Sequence, residues 1–187
     1  QLKQETGLKT EELLCCFGEF PHSALPGVKS TLYDAVFQNK AANGFLAPEL
    51  SAQAVATNEA AVVKLPLTDF KTTISVCLHI SEQDFDKQLT LLTNTDLSFA
   101  NLSKMYAISR LCRRLKLKPD DFIILRELTV IDPLSSPDAA LRFVRAAKEA
   151  VSFPLKPADI KFMLRHEASD LTNRELKDEK IALILTV

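Results

Sequence analysis

A helix start that recurs at nearly even spacing constrains this chain more than any other feature. Ile80-Ser81-Glu82-Gln83-Asp84-Phe85 is followed, 37 positions on, by Leu117-Lys118-Pro119-Asp120-Asp121-Phe122. Another 38 positions on comes Leu155-Lys156-Pro157-Ala158-Asp159-Ile160. Each copy has an apolar anchor, a capping position, an acid in the first turn and a large apolar residue directly after it. The two apolar residues suit a hydrophobic staple, and the acid faces the positive end of the helix dipole. One further helix fits between copies. The period therefore predicts two-helix units that bury their faces against their neighbours, as in helical solenoids.

Other helix signals agree with this spacing. Helices are expected at about 82–92, 99–116, 119–129, 137–151, 157–167 and 173–185. Ser81 with Asp84 and Thr172 with Glu175 form capping boxes, Ser98 and Ser136 suit N-caps, and Pro119, Pro137 and Pro157 suit first helical positions. From Thr68, read as a cap, Phe70, Ile74, Cys77 and Leu78 follow a helical period. Ile74, Val76, Leu78 and Ile80 also alternate as a strand would; helix is preferred because no partner strand is evident nearby. Helix 99–116 is apolar over more than half its circumference and 119–129 almost all round, as expected of helices sandwiched between others.

The N-terminal third is less regular. A helix is expected from Thr10, as cap, to Phe17, with Glu11 and Glu12 at the positive dipole end and Gly18 as its stop. Residues 20–27 read as a loop with two prolines. A short helix from Leu32 to Gln38 has Thr31 and Asp34 as a capping box. Residues 39–58 are rich in Ala, Asn and Ser and include Gly44 and Pro48, so they are expected to form a long irregular connection and a candidate hinge. The resulting expectation is an all-α chain. Residues 1–60 hold N-terminal helices and the irregular connection, and 61–187 form a bundle of stacked helical hairpins.

Composition supports helix over sheet. The 187 residues include four glycines against nine prolines, fewer glycines than sandwiches and barrels use at their turns. With 47% hydrophobic residues the chain can bury a substantial core. Its net charge of −1 lacks the basic excess of a duplex-binding domain, and no apolar run is long enough to span a bilayer. The first residues, Gln1-Leu2-Lys3-Gln4, lack the pattern of a signal peptide, and 181–187 stop within an apolar run. The chain is accordingly expected to be a segment of a longer protein.

Candidate chemistry is sparse. Cys15, Cys16, Cys77 and Cys112 show no CxxC spacing and lie in apolar helical runs, so they are expected to be reduced core residues rather than nucleophiles. None of His22, His79 and His166 stands at metal-ligand spacing from a Cys or another His. Asp120-Asp121 and Glu11-Glu12 are explained by the helix starts they occupy. No phosphate-loop, dinucleotide, zinc-protease or nucleophile-elbow motif occurs. No catalytic, cofactor-binding or metal-binding residue is assigned, no cofactor is expected, and the chain is read as no enzyme. The basic cluster Arg110, Arg113, Arg114, Lys116 and Lys118 is the strongest local charge feature. It sits at a helix C-terminus, where cations are favoured, and is expected to be a solvated face pairing with nearby acids. Without interleaved aromatics, nucleic acid is not expected as a partner.

Five stretches, in order, resemble the A components of bacterial Tc insecticidal toxin complexes and the related Salmonella virulence plasmid A proteins. Ser30-Thr31-Leu32-Tyr33-Asp34-Ala35-Val36-Phe37-Gln38-Asn39-Lys40 resembles an S-x-Y-x-x-L-F-x-N-like segment. Leu102-Ser103-Lys104-Met105-Tyr106-Ala107-Ile108-Ser109-Arg110-Leu111 is similar to an L-x-x-L-Y-R-x-x-x-L helix. The next stretch, Leu115-Lys116-Leu117-Lys118-Pro119-Asp120-Asp121-Phe122, resembles L-K-L-S-x-x-D-L. Ile131-Asp132-Pro133 resembles a D-P turn, and Ala158-Asp159-Ile160-Lys161-Phe162-Met163-Leu164-Arg165-His166 resembles A-E-L-D-Y-L-L-R-H. Met105 stands where Leu is usual, Ile108 is near a common His or Ala, and 43–60 has no counterpart.

The resemblance implies a virulence protein, secreted or released from a bacterium, whose helical segments form the outer shell of a large pore-forming subunit. Its partners would be other regions and protomers of that subunit, a homopentamer in the family. Through the whole assembly they would also include the B and C toxin components and the target-cell membrane. The competing expectation from the residues alone is an intracellular helical-repeat adaptor that binds a peptide or protein in a concave groove.

Overall fold

The computed structural model describes residues 1–21, 30–152 and 155–165. They form α1 (Leu2–Thr6), α2 (Thr10–Phe17), α3 (Leu32–Phe37), α4 (Lys40–Asn43), α5 (Ala52–Ala60), α6 (Lys71–Leu78), α7 (Glu82–Leu89), α8 (Phe99–Leu115), α9 (Pro119–Thr129), α10 (Pro137–Ser152) and α11 (Pro157–Arg165). Short 3-10 turns occupy Pro48–Leu50 and Leu67–Phe70, and no strand forms among the described residues. The all-α expectation holds. The expected helix at 173–185, with its Thr172 and Glu175, lies outside the described residues.

Most helix starts form by the predicted chemistry. Thr31 accepts from the Asp34 amide at 3.1 Å while Asp34 accepts from the Thr31 hydroxyl at 2.8 Å, closing the capping box of α3. At α7 the Ser81 hydroxyl accepts from the Asp84 amide and donates to the Asp84 carboxylate, a side-chain cap rather than the full box seen at α3. The Ser98 and Ser136 hydroxyls accept from the Asn101 and Ala139 amides. Pro119, Pro137 and Pro157 each open a helix, where their missing N–H costs nothing.

Three expectations need correction. Thr10 is the first residue of α2 rather than its cap; the start is closed by Glu12, whose carboxylate accepts from the Lys9 amide at 2.8 Å. Thr68 lies within a 3-10 turn, and α6 begins only at Lys71, as a helix and not a strand. The segment 39–58 is not an irregular hinge. It forms α4, a 3-10 turn and most of α5, and it sends Ala47, Leu50 and Val55 fully into the core.

Side-chain bonds from its neighbours order that segment. Gln38 Nε2 donates to the Ala47 carbonyl at 2.6 Å, Asn43 Nδ2 to the Val36 carbonyl at 2.8 Å, and the Tyr33 hydroxyl to the Leu50 carbonyl at 2.7 Å. These bonds satisfy carbonyls that a tight turn would otherwise bury unpaired. Farther on, Asn58 ties the end of α5 to the segment before α8. Its Nδ2 donates to the Leu97 carbonyl and its Oδ1 accepts from the Leu65 amide, both at 2.8 Å.

Two apolar clusters hold the fold. The first draws on α2, α3, the 47–55 segment, α6, α7 and the first half of α8, so it takes residues from both sides of position 60. Its centre is aromatic: Phe20 meets Tyr33 and Phe37 edge-on, with centroids 5.5 and 5.7 Å apart, and Tyr33 meets Phe99 at 5.3 Å. The second cluster joins Leu8 to the second half of α8, α9 and α10, with Phe122 and Phe143 at 5.0 Å. α8 runs through both and is their common wall.

In the C-terminal half, α9 packs against α7, α8, α10 and α11. Lys87 of α7 pairs with Asp120 of α9, and Lys161 of α11 with Glu127 of α9, both at 2.6 Å. α1 and α2 fold back onto this half, α2 along α8 and α1 against α10 and α8. The three similar helix starts differ in burial. Phe85 and Phe122 are inside, Ile160 is half-buried, and the anchor Leu155 is exposed.

Candidate functional site

The basic cluster foretold as a solvated face is partly consumed inside the fold. Arg110 donates to the Glu12 carboxylate across α2 and α8. Its guanidinium carbon also lies 5.9 Å from the Tyr106 ring centroid. Burial would push the Glu12 carboxyl up. The Lys9 amide and the Arg110 and Arg114 charges prevail and hold it below the usual carboxylate range. Arg113 donates to the carbonyls of Leu78 and His79, at 3.1 and 3.4 Å, and so serves the C-terminus of α6. Lys116 takes the left-handed position after α8, and Lys118 precedes α9 as its N-cap. The buried member of the Glu11-Glu12 pair thus acts as an interhelix anchor, which a dipole argument alone does not anticipate.

The four thiols are all buried. Desolvation pushes Cys15, Cys16 and Cys112 up to about 12 and Cys77 to about 11, the opposite of what an activated nucleophile needs. His79 sits in the left-handed position after α6, while His22 and His166 lie outside the described residues. Asp120 is committed to Lys87.

One concavity among the described residues has no signature in the sequence. A groove opens where α7 ends, between α8, α9 and the loop after α9. Its inner part, about 240 Å³, is lined by Leu91, Thr93, Lys104, Ile108, Phe122, Arg126, Asp132 and Leu134. Its outer part, about 450 Å³, adds Ile123, Glu127, Val130 and Ile131 and shares Leu91, Arg126 and Asp132. Apolar and charged side chains line the groove together, the charges being Lys104, Arg126, Asp132 and, outside, Glu127.

The charges are fixed in a chain of bonds. The Leu134 amide donates to Asp132 Oδ1 at 3.1 Å, and Asp132 Oδ2 accepts from Arg126 Nη2 at 3.2 Å. Asp132 is therefore held by its own turn and in turn aims the guanidinium. Glu127, on the outer rim, is held by Lys161. Lys104 faces the inner part from α8 and is exposed.

Val130 stands at the rim with φ 54°, a left-handed backbone that crowds a β-branched side chain and costs about 1–2 kcal/mol. His79 and Lys116 share this conformation after α6 and α8. There the strain is accompanied by bonds from the next amide back to the helix, Ile80 to Ser75 and Leu117 to Cys112. Val130 has no such closing bond among the described residues, and its side chain is 85% exposed. Strain without packing in return is the kind of feature that collects at ligand sites.

Comparison with known proteins returned no matching family model, no matching curated protein and no matching solved structure.

Proposed function

We propose that this chain is a non-catalytic structural segment of a large bacterial toxin subunit. Such a subunit binds target cells and forms a translocation channel for an enzyme carried by partner subunits. The sequence support is the ordered likeness of five stretches, within about residues 11–167, to the Tc toxin A components. The structural observation that supports a scaffold role is the packing of α9 against both α7 and α11, with a Lys–acid pair to each. In helical-repeat proteins, stacked units present an apolar face to the next unit. Phe162, Met163 and Leu164 of α11 are exposed and suit such a face. A segment embedded in a larger shell has a use for it.

The test is to express the whole reading frame that contains this segment and image it by negative-stain electron microscopy, with planar-bilayer conductance measured in parallel. A ring-shaped oligomer that inserts channels is the expected result. A monomeric product with no channel activity would rule the proposal out. Localisation outside the bacterial cell and partnership with B- and C-type subunits belong to the same proposal and fall with it.

A further inference from the structure

We propose that the groove between α8, α9 and the 130–134 loop is a peptide-binding site that takes a free carboxyl terminus preceded by apolar residues. It would hold whether or not the chain belongs to a toxin shell, because it rests on the groove alone.

Charge comes first. The inner part carries Lys104 and Arg126 against one acid, Asp132, which leaves one positive charge to be matched. Glu127 on the outer rim is already neutralised by Lys161. One carboxylate fits this balance, whereas a phosphate, with its higher charge, would meet too few cations and face Asp132. A metal ion is disfavoured for the same reason: both oxygens of Asp132 are committed, and two cations line the same space.

Shape comes second. The inner part, about 240 Å³, falls short of the roughly 300–1,000 Å³ that encloses a whole drug-sized ligand. It is suited to the end of a chain, with the remainder lying along the outer part. Leu91 and Leu134 inside, and Ile123 and Ile131 outside, are half-buried and offer two successive apolar contacts. Capture of a terminal carboxylate with side-chain pockets beside it is an established mode of peptide recognition.

Preorganisation comes third. Arg126 Nη2 donates to Asp132 Oδ2, which holds the guanidinium beside the groove. The Leu134 amide fixes Asp132, so the assembly is set before binding. The strained Val130 places an unpacked apolar side chain on the rim, where a bound chain would cover it.

The experiment uses this chain and two fluorescein-labelled probes of sequence Gly-Ser-Gly-Ser-Leu-Leu, one with a free carboxyl end and one amidated, read by fluorescence anisotropy. The free acid is expected to bind saturably, and the amide at least about tenfold more weakly. Lys104→Ala, at an exposed position with no bond to lose among the described residues, should weaken the free acid by about tenfold, and Arg126→Gln at least as much. In the wild-type chain, amide NMR shifts on adding the free acid should concentrate at Leu91, Lys104, Arg126 and Val130. Equal binding of acid and amide would reduce the groove to an apolar patch and overturn the proposal. So would an amidated probe with an internal Asp that binds as well as the free acid, the absence of saturable binding, or shifts centred elsewhere. Failure of the channel measurements above would leave these outcomes unchanged.

Discussion

Arg110 of α8 reaches Glu12 of α2 across 98 positions of sequence, and the pair meets with the carboxylate almost wholly buried and the guanidinium one-quarter exposed. This bond crosses the contact through which the N-terminal helices lie on the C-terminal half. Glu12 is well satisfied, because it also accepts from the Lys9 amide and, at 3.4 Å, from the Tyr106 hydroxyl. Arg110 is not: its Nε–H is buried without a partner among the described residues.

That asymmetry makes a double-mutant cycle informative. Arg110→Met alone strands a buried carboxylate and should cost about 3 kcal/mol, the low end for breaking a buried pair because the arginine is partly in solvent. Glu12→Leu with Arg110→Met removes both charges and the unpaired Nε–H, and should recover at least half of that loss. Urea unfolding of the four proteins measures it. A double variant less stable than Arg110→Met would show the pair to be a net stabiliser in its own right.

The same pair sets an acid limit. Because the folded-state pKa of Glu12 is depressed, its contribution is fully present above the unfolded value, near about 4.3. It is lost as pH falls through the lower folded value. Stability should therefore change little with Glu12 from pH 7 to about 5 and decline below that. The Glu12→Gln variant should be less stable at neutral pH yet show a shallower acid decline. Urea midpoints at four pH values test it; parallel curves for the two proteins would remove Glu12 from the account.

The Tyr33 hydroxyl carries a second long-range tie. It donates to the Leu50 carbonyl from inside a cage of Phe20, Phe37 and Phe99, and burial holds its own pKa well above the ordinary tyrosine range. Tyr33→Phe keeps the ring contacts and leaves the Leu50 carbonyl unpaired, for a cost of about 1–3 kcal/mol. Hydrogen exchange should rise most at residues 50–55, since this bond orders that segment. Uniform exchange changes along the chain would show the tie to be global instead.

These ties explain what sequence could and could not reveal. α8, α9 and α10 were legible within a residue or so because their starts carry their own chemistry in Ser98, Pro119 and Pro137. The order of 39–58 was not, because it comes from Gln38, Asn43 and Tyr33 acting on carbonyls up to 17 positions away. α1 was missed since its only buried residue is Thr6, whose hydroxyl donates to the Leu2 carbonyl. The groove was illegible for a different reason: Lys104, Arg126 and Asp132 converge from two helices and a loop, and no spacing along the chain encodes that. The left-handed strain at Val130 was illegible too, because a helix ending in Thr129-Val130-Ile131 need not turn left-handed.

Val130→Gly tests that strain directly. Valine here gives up about 1–2 kcal/mol to a left-handed backbone, and with its side chain in solvent it gains little packing in return. Glycine removes the penalty but adds unfolded-state freedom worth somewhat under about 1 kcal/mol. The net gain should be about 0.5–1 kcal/mol, visible as a rise of a few degrees in Tm. Lys116→Gly, at an equivalent left-handed position without a β-branch, should gain less. A loss of stability in Val130→Gly would mean that valine at this rim is packed or bonded in solution, and the strain argument for the groove would go with it.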